Sequence, residues 1–310
     1  MTPVEFFSDH TYRTVFLGTA VIGLVAGALG GFAYLRKQSL ISDVISHASL
    51  PGTLVAFLFC VVVLGTDGRN MVALIVGAVL LGTAAVAAAN GIAEGSLLKI
   101  DTAMAVVLTT FFAGGMLLLR LISRGDYPGK GGIQDYLFGN ASVITTADLV
   151  TSVVVGAAAL VIMLVFWKEF ALRTFDPAYS TVLGINRRVV DALMFTTIVV
   201  GTVIGVKAVG LVLMVAFVVT PPAAARQWTR TLPAMVALSA AIGGIGSGVG
   251  AYLSIWLGDV PTGPLVVVVL FTIFAVSMLA APRRSILVRA IGRARLRSAL
   301  RRELLSEDPR

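Results

Sequence analysis

Ser39-Leu40-Ile41-Ser42-Asp43-Val44-Ile45-Ser46-His47-Ala48-Ser49-Leu50-Pro51-Gly52 feeds directly into an apolar run, Leu50 to Gly65, that reads as a membrane helix. Asp43 and His47 stand four residues apart at its head. On a helix, positions i and i+4 share a face, so the carboxylate and the imidazole point the same way. A carboxylate near hydrocarbon costs about 3 kcal/mol even on lenient insertion scales. Residues of this kind therefore face a partner, water or a transported ion. An oxygen donor beside a nitrogen donor suits a divalent transition metal.

The rest of the chain enlarges the same picture. Of 310 residues, 57% are hydrophobic and 13% charged, more apolar surface than a soluble domain hides, so the expected class is a polytopic, all-α membrane bundle. A single transmembrane domain is expected over residues 1–282, followed by a basic tail over 283–310. One cysteine, Cys60, and two histidines, His10 and His47, exclude a disulfide framework, a cysteine-based zinc site and a histidine-rich cluster. The first apolar run, Val15 to Leu35, has no basic region before it and is long for a signal peptide, so it reads as a retained helix. In the tail, Arg289, Arg293, Arg297 and Arg301 at i+4 spacing suggest a helix lying on anionic lipid rather than a nucleic-acid-binding arm.

Apolar runs fall near 14–35, 40–65, 71–90, 101–122, 147–167, 189–206, 209–223, 233–257 and 261–281, which predicts eight or nine spans. The sixth and seventh are short and read either as one broken element or as two short helices. If all nine cross and the C-terminus is cytoplasmic, inside segments carry eighteen of the twenty-four Lys and Arg residues, nine of them in the tail. The positive-inside rule then places the N-terminus outside and the C-terminus in the cytoplasm.

Two connections stand out. Gly125 to Gly132 superficially resembles a phosphate loop, but three residues separate Gly125 from Gly129, and Gly131 follows Lys130 where Ser or Thr is needed. With no other such motif, ATP hydrolysis is not expected of this chain. In the second connection, Asp176 suits a helix N-cap, Pro177 the first helical position and Gly184 the position past the end. They delimit a short helix from Pro177 to Leu183, read either as a docking knob on the cytoplasmic side or as an interfacial helix with no partner.

Glycines at spacing four (Gly23, Gly27 and Gly31; Gly201 and Gly205; Gly244 and Gly248; Gly246 and Gly250) allow helices to approach closely, for tight packing or for sliding. Pro51, Pro221 and Pro222 remove backbone donors, and Thr220-Pro221-Pro222 is expected to interrupt its helix. Broken helices at mid-membrane commonly line substrate paths, so these prolines are candidate gating points.

In order along the chain, Arg36-Lys37, Asp43, Ser46-His47-Ala48 and Leu50-Pro51-Gly52 are followed by Asp101-Thr102-Ala103 and Leu137-Phe138-Gly139-Asn140. Phe175-Asp176-Pro177, Leu183-Gly184-Ile185, Ala208-Val209-Gly210, Pro222-Ala223-Ala224-Ala225-Arg226 and Pro261-Thr262-Gly263 complete the set. The whole resembles the permease subunits of bacterial metal-cation ABC importers, over residues 13–284. The resemblance implies the permease fold of metal-chelate-type importers and a second permease subunit, identical or related. It also implies two ABC ATPase subunits on the cytoplasmic side, carrying the ATP, and an extracytoplasmic protein delivering manganese, zinc or ferrous iron. On it, Asp43 and His47 map to the metal pathway, and Asp176, Pro177, Ala178, Tyr179, Leu183 and Gly184 to the coupling helix. No permanently bound cofactor is expected, the metal being cargo, and the location is the bacterial cytoplasmic membrane.

By the run boundaries, Asp43 and His47 lie nearer the cytoplasmic end of their helix than its middle. They would serve exit or gating unless the helix begins earlier or a deep cytoplasmic funnel reaches them. The structural alternative for His47 is a hydrogen bond, with Asp43 itself among the candidates. The functional alternative is a secondary transporter or channel for a divalent cation, without an ATPase. Such a protein needs further intramembrane charges, and beyond Glu94, Lys99 and Asp101 at one helix boundary the runs are nearly free of them.

Overall fold

The computed structural model describes residues 8–36, 40–66, 68, 70–128, 144–258 and 260–281; the Leu137–Asn140 motif and the arginine tail lie outside them. The described residues form helices and no strand: α1 (His10–Leu35), α2 (Ile41–Leu58), α3 (Met71–Gly95), α4 (Ile100–Arg124), α5 (Thr146–Val165), α6 (Trp167–Phe175), α7 (Pro177–Val182), α8 (Arg187–Val209), α9 (Leu211–Trp228), α10 (Leu232–Leu257) and α11 (Thr262–Ala280). A π-helical turn, Phe59–Val63, prolongs α2. Eight of these elements are long and apolar enough to cross a membrane; α9 is the remaining run.

Helix starts follow local chemistry. Asp9 accepts from the amides of Thr11 and Tyr12, Asn70 from Val72 and Ala73, and Asn186 from Arg188 and Val189. At α5, Thr145 and Asp148 cap each other reciprocally. These bonds satisfy amide groups that the first helical turn leaves without partners.

α1, α2 and α8 are the deeply buried helices, while α4 and α11 are largely exposed. The glycine spacing serves close packing. Gly23 of α1 lies against Gly243 and Ser247 of α10, Gly27 against the Ser239 carbonyl, and Gly31 against Val236. Rising numbers on one helix meet falling numbers on the other, so the two run antiparallel in backbone contact. The Ser239 hydroxyl donates to the Gly27 carbonyl at 2.5 Å, pinning the seam. A second seam joins α2 to α3, where Gly52 and Gly77 each occupy the space a partner Cβ would need.

The prolines do not end their helices. α2 continues through Pro51, and α9 through Pro221 and Pro222. A proline inside a helix removes one hydrogen bond and crowds the carbonyl four residues earlier, which kinks a helix without compelling a break when packing holds both sides. Here the Val218 carbonyl, freed by Pro222, faces Gly30 of α1, which has no side chain to collide with it. The break falls instead at Gly210, whose φ of 89° only glycine adopts readily. Gly205 and Met214 touch across it, so the sixth and seventh runs are two helices that double back on each other.

Candidate functional site

α2 brings its two chemical groups together. His47 Nε2 lies 3.3 Å from Asp43 Oδ1, with the side chains 15% and 30% exposed, so the pair is shielded yet reachable. The His47 ring meets the Phe112 ring of α4 edge to face at 4.8 Å, which fixes its plane. Its Nδ1 is buried without a hydrogen-bond partner. With Nδ1 enclosed, Nε2 is the nitrogen available to the Asp43 side.

A 3.3 Å separation serves two purposes. It holds an imidazole–carboxylate contact, and it also matches a chelate: a cation about 2.1 Å from both atoms would subtend about 105°, near the tetrahedral angle. Asp43 also sits in the first turn of its helix, where the dipole favours a negative charge. Among the described residues, no group of three or more His, Cys, Asp or Glu side chains converges. One copy of the chain therefore presents two ligands at this point. α2 begins at Ile41, so it does not start early enough to move the pair toward the middle of the helix. His47 is six residues in, about 9 Å along the axis.

The neighbouring face of α2 carries Ser42, Ser46, Ser49 and Thr53, all buried. Ser49 donates to the Ser46 carbonyl and Thr53 to the Ser49 carbonyl, while the hydroxyls of Ser42 and Ser46 have no partner. In the sequence only Ser46 stands out, as part of the family signature; that the four side chains share one buried face is a finding of the fold.

The predicted short helix is present as α7, one residue shorter than expected. Asp176 Oδ1 accepts from the Tyr179 amide at 2.9 Å, and Pro177 opens the helix. At the far end the Gly184 amide donates to the Thr181 carbonyl and the Ile185 amide to that of Ser180. This double closure requires a left-handed residue, and Gly184 has φ 74°. Ser180 faces inward, while Tyr179 and Val182 of α7, Leu183 just past its end and Phe175 at the end of α6 are exposed.

A charge cluster forms where α6 meets the start of α8. Asp191 of α8 accepts a forked pair of bonds from Arg173 of α6 and a 2.7 Å bond from Arg36 at the end of α1. Arg187 approaches the same carboxylate at 3.9 Å and binds Glu94 of α3 at 2.7 Å. In the sequence Arg36, Arg173 and Arg187 mark the membrane side, and Arg36 belongs to the family signature, but nothing there joins them. Asp191, an acid four residues after Arg187 at the head of an apolar run, was the available signal.

A charge-poor helical bundle with a paired carboxylate and imidazole, and a short capped helix exposing apolar residues, belongs to the class of membrane permeases. The match that specifies it is to the ABC 3 transport family, over residues 8–281, and the chain belongs to that family. It is 35% identical over 293 residues to the zinc transport system membrane protein TroC of Treponema pallidum, covering 94% of this chain and 96% of that one. It is 36% identical over 289 residues to the manganese transport system membrane protein MntC of Bacillus subtilis, covering 93% of this chain and 65% of the Bacillus protein. Among solved structures, PsaBC from Streptococcus pneumoniae in complex with Fab matches with TM-score 0.78 and 28% identity, over 91% of this chain and 98% of that chain.

Proposed function

We propose that this chain is the permease subunit of an ATP-driven importer of a divalent transition metal, with manganese and zinc the leading cargoes and ferrous iron chemically admissible. The observation that carries the metal assignment is the Asp43–His47 pair at chelating distance, half-shielded in a bundle otherwise poor in charge. Relatives with zinc and manganese transport in their names support the cargo class. Membership of an ABC transport family weighs against a secondary transporter, which would carry its own driving machinery.

Two ligands per copy make a weak site, and pairing two copies would bring four. α4 is the natural face for that pairing: Thr102, Ala105, Thr109, Ala113 and Met116, at spacing three and four, are exposed and mostly small or polar rather than bulky and lipid-like. His47 packs on Phe112 of that helix, so the pair borders the same side. A cage shared between subunits releases its ion when they separate, as transport requires. The depth of the pair fits a role near the inner exit, reached through a cytoplasmic funnel.

α7 is the coupling helix in this reading, with Tyr179, Val182 and Leu183 offering an apolar knob to a groove on the ATPase. Asp176, Pro177, Ala178 and Gly184 hold its shape. Pro51, Pro221 and Pro222, by leaving carbonyls unbonded, give α2 and α9 points at which gating can bend them. The N-terminus lies outside, and an extracytoplasmic binding protein delivers the ion there.

Element-resolved mass spectrometry of metal-starved cells tests the proposal. Cells expressing the importer genes should accumulate one metal, and the Asp43→Ala, His47→Ala double variant, assembled with its ATPase, should not. Equal accumulation by both would reduce the pair to a structural contact. No rise in any divalent metal would remove the cargo assignment.

A further inference from the structure

Asp191 ties together elements that the metal pathway and the coupling helix use separately. α7 packs on α6, which links it to the bundle on its N-terminal side. Two contacts hold α6 there, one to the end of α1 and one to the start of α8. Trp167 and Phe170 meet the Phe32 ring edge to face at 5.5 and 5.8 Å. Arg173, 4% exposed, forks onto Asp191. Four residues beyond Phe32, and so on the same face of α1, Arg36 binds the other side of this carboxylate and lies over the Phe195 ring at 5.1 Å. Asp191 and Phe195 are themselves four apart on α8, so Arg36 is held between a carboxylate and an aromatic face. The chain then passes from Arg36 to α2, whose third residue is Asp43.

We infer that Asp191 is the positioning residue through which movement of the coupling helix reaches the head of the metal-carrying helix. The inference rests on the reading of α7 as the ATPase-docking element. A forked guanidinium–carboxylate contact is directional and resists sliding, unlike an apolar contact, so a displacement of α6 is passed to Arg36 instead of being absorbed. The alternative, that the cluster only staples this end of the bundle, predicts lower stability with unchanged coupling.

The distinguishing quantity is metal moved per ATP hydrolysed. The complete importer, with ATPase and binding protein, would be reconstituted in liposomes containing a metal-sensitive dye and supplied with manganese and zinc in turn. Asp191→Asn and Arg36→Met should retain the ATPase and hydrolyse ATP, yet move at least about fivefold less metal per ATP, the lower end of usual coupling between distinct sites. Asp191→Glu should restore most of the ratio. Asp191→Asn leaves a buried arginine without its counter-charge, and if it fails to assemble, Arg36→Met decides, because it leaves the Arg173–Asp191 contact in place. A ratio within twofold of wild type in assembled Arg36→Met overturns the proposal. A Tyr179→Ala, Leu183→Ala variant tests the underlying reading separately: it should lose the ATPase on purification, and full retention would refute docking through α7.

Discussion

Adding one methyl group at Gly27 should loosen the whole bundle. A Cβ there would stand 2.5 Å from the backbone oxygen of Ser239, while ordinary contact begins at 3.4 Å, so α1 and α10 must separate by 3.4 − 2.5 = 0.9 Å. The obstacle is backbone within a helix and cannot rotate aside. Overpacking of this kind costs about 1–3 kcal/mol. Separation also stretches the Ser239 hydroxyl bond to the Gly27 carbonyl, which contributes about 1 kcal/mol more. Gly27→Ala should therefore destabilise by about 2–4 kcal/mol. In thermal unfolding of detergent-solubilised protein, that lowers the midpoint by roughly 3–6 °C for a chain of this size.

Gly91→Ala is the control. Nothing lies within 4 Å of a Cβ at that position, so the substitution should be neutral or raise stability by up to about 1 kcal/mol through helix propensity. Equal midpoints for Gly27→Ala and wild type would refute the reading of the α1–α10 seam as backbone contact. So would a fall in Gly91→Ala as large as that in Gly27→Ala.

Asp43→Ala and His47→Ala should each abolish metal accumulation nearly as fully as the double variant, because half a chelate does not hold an ion; additive partial losses in uptake assays would argue against a shared ion. Gly184→Ala forces a side chain into the left-handed region and should cost about 1–2 kcal/mol at the end of α7, read as reduced recovery of the ATPase on purification. Gly210→Val should be more severe, since a β-branched residue at φ 89° opposes the reversal between α8 and α9, and expression of folded protein should drop.

The sequence made the bundle legible because its evidence is one-dimensional. Run length and the Asp176–Pro177–Gly184 frame each act within a few residues, so the apolar runs of α1 and α3 and the position of α7 could be read directly. The Asp43–His47 pair was legible for the same reason, both residues lying on one turn of one helix. Pro221 and Pro222 misled because proline reports the loss of a hydrogen bond but says nothing of what packs beside it. Gly30, 192 positions before Pro222, provides the space that lets α9 continue, while a single glycine at 210 makes the break.

Asp191 shows the same limit from the other side. Its partners Arg36 and Arg173 lie 155 and 18 residues away, and each alone looks like a solvated charge at a membrane edge. Once they converge, the arginines acquire a second role. In the proposed orientation, basic residues at this end suit the positive-inside rule however they are arranged, so orientation alone would leave their side chains free to wander. Burial of Arg173 and the forked geometry at Asp191 go beyond that requirement. The extra constraint joins the end of α1, the approach to α7 and the start of α8, and it does so five residues before the helix that carries Asp43 begins.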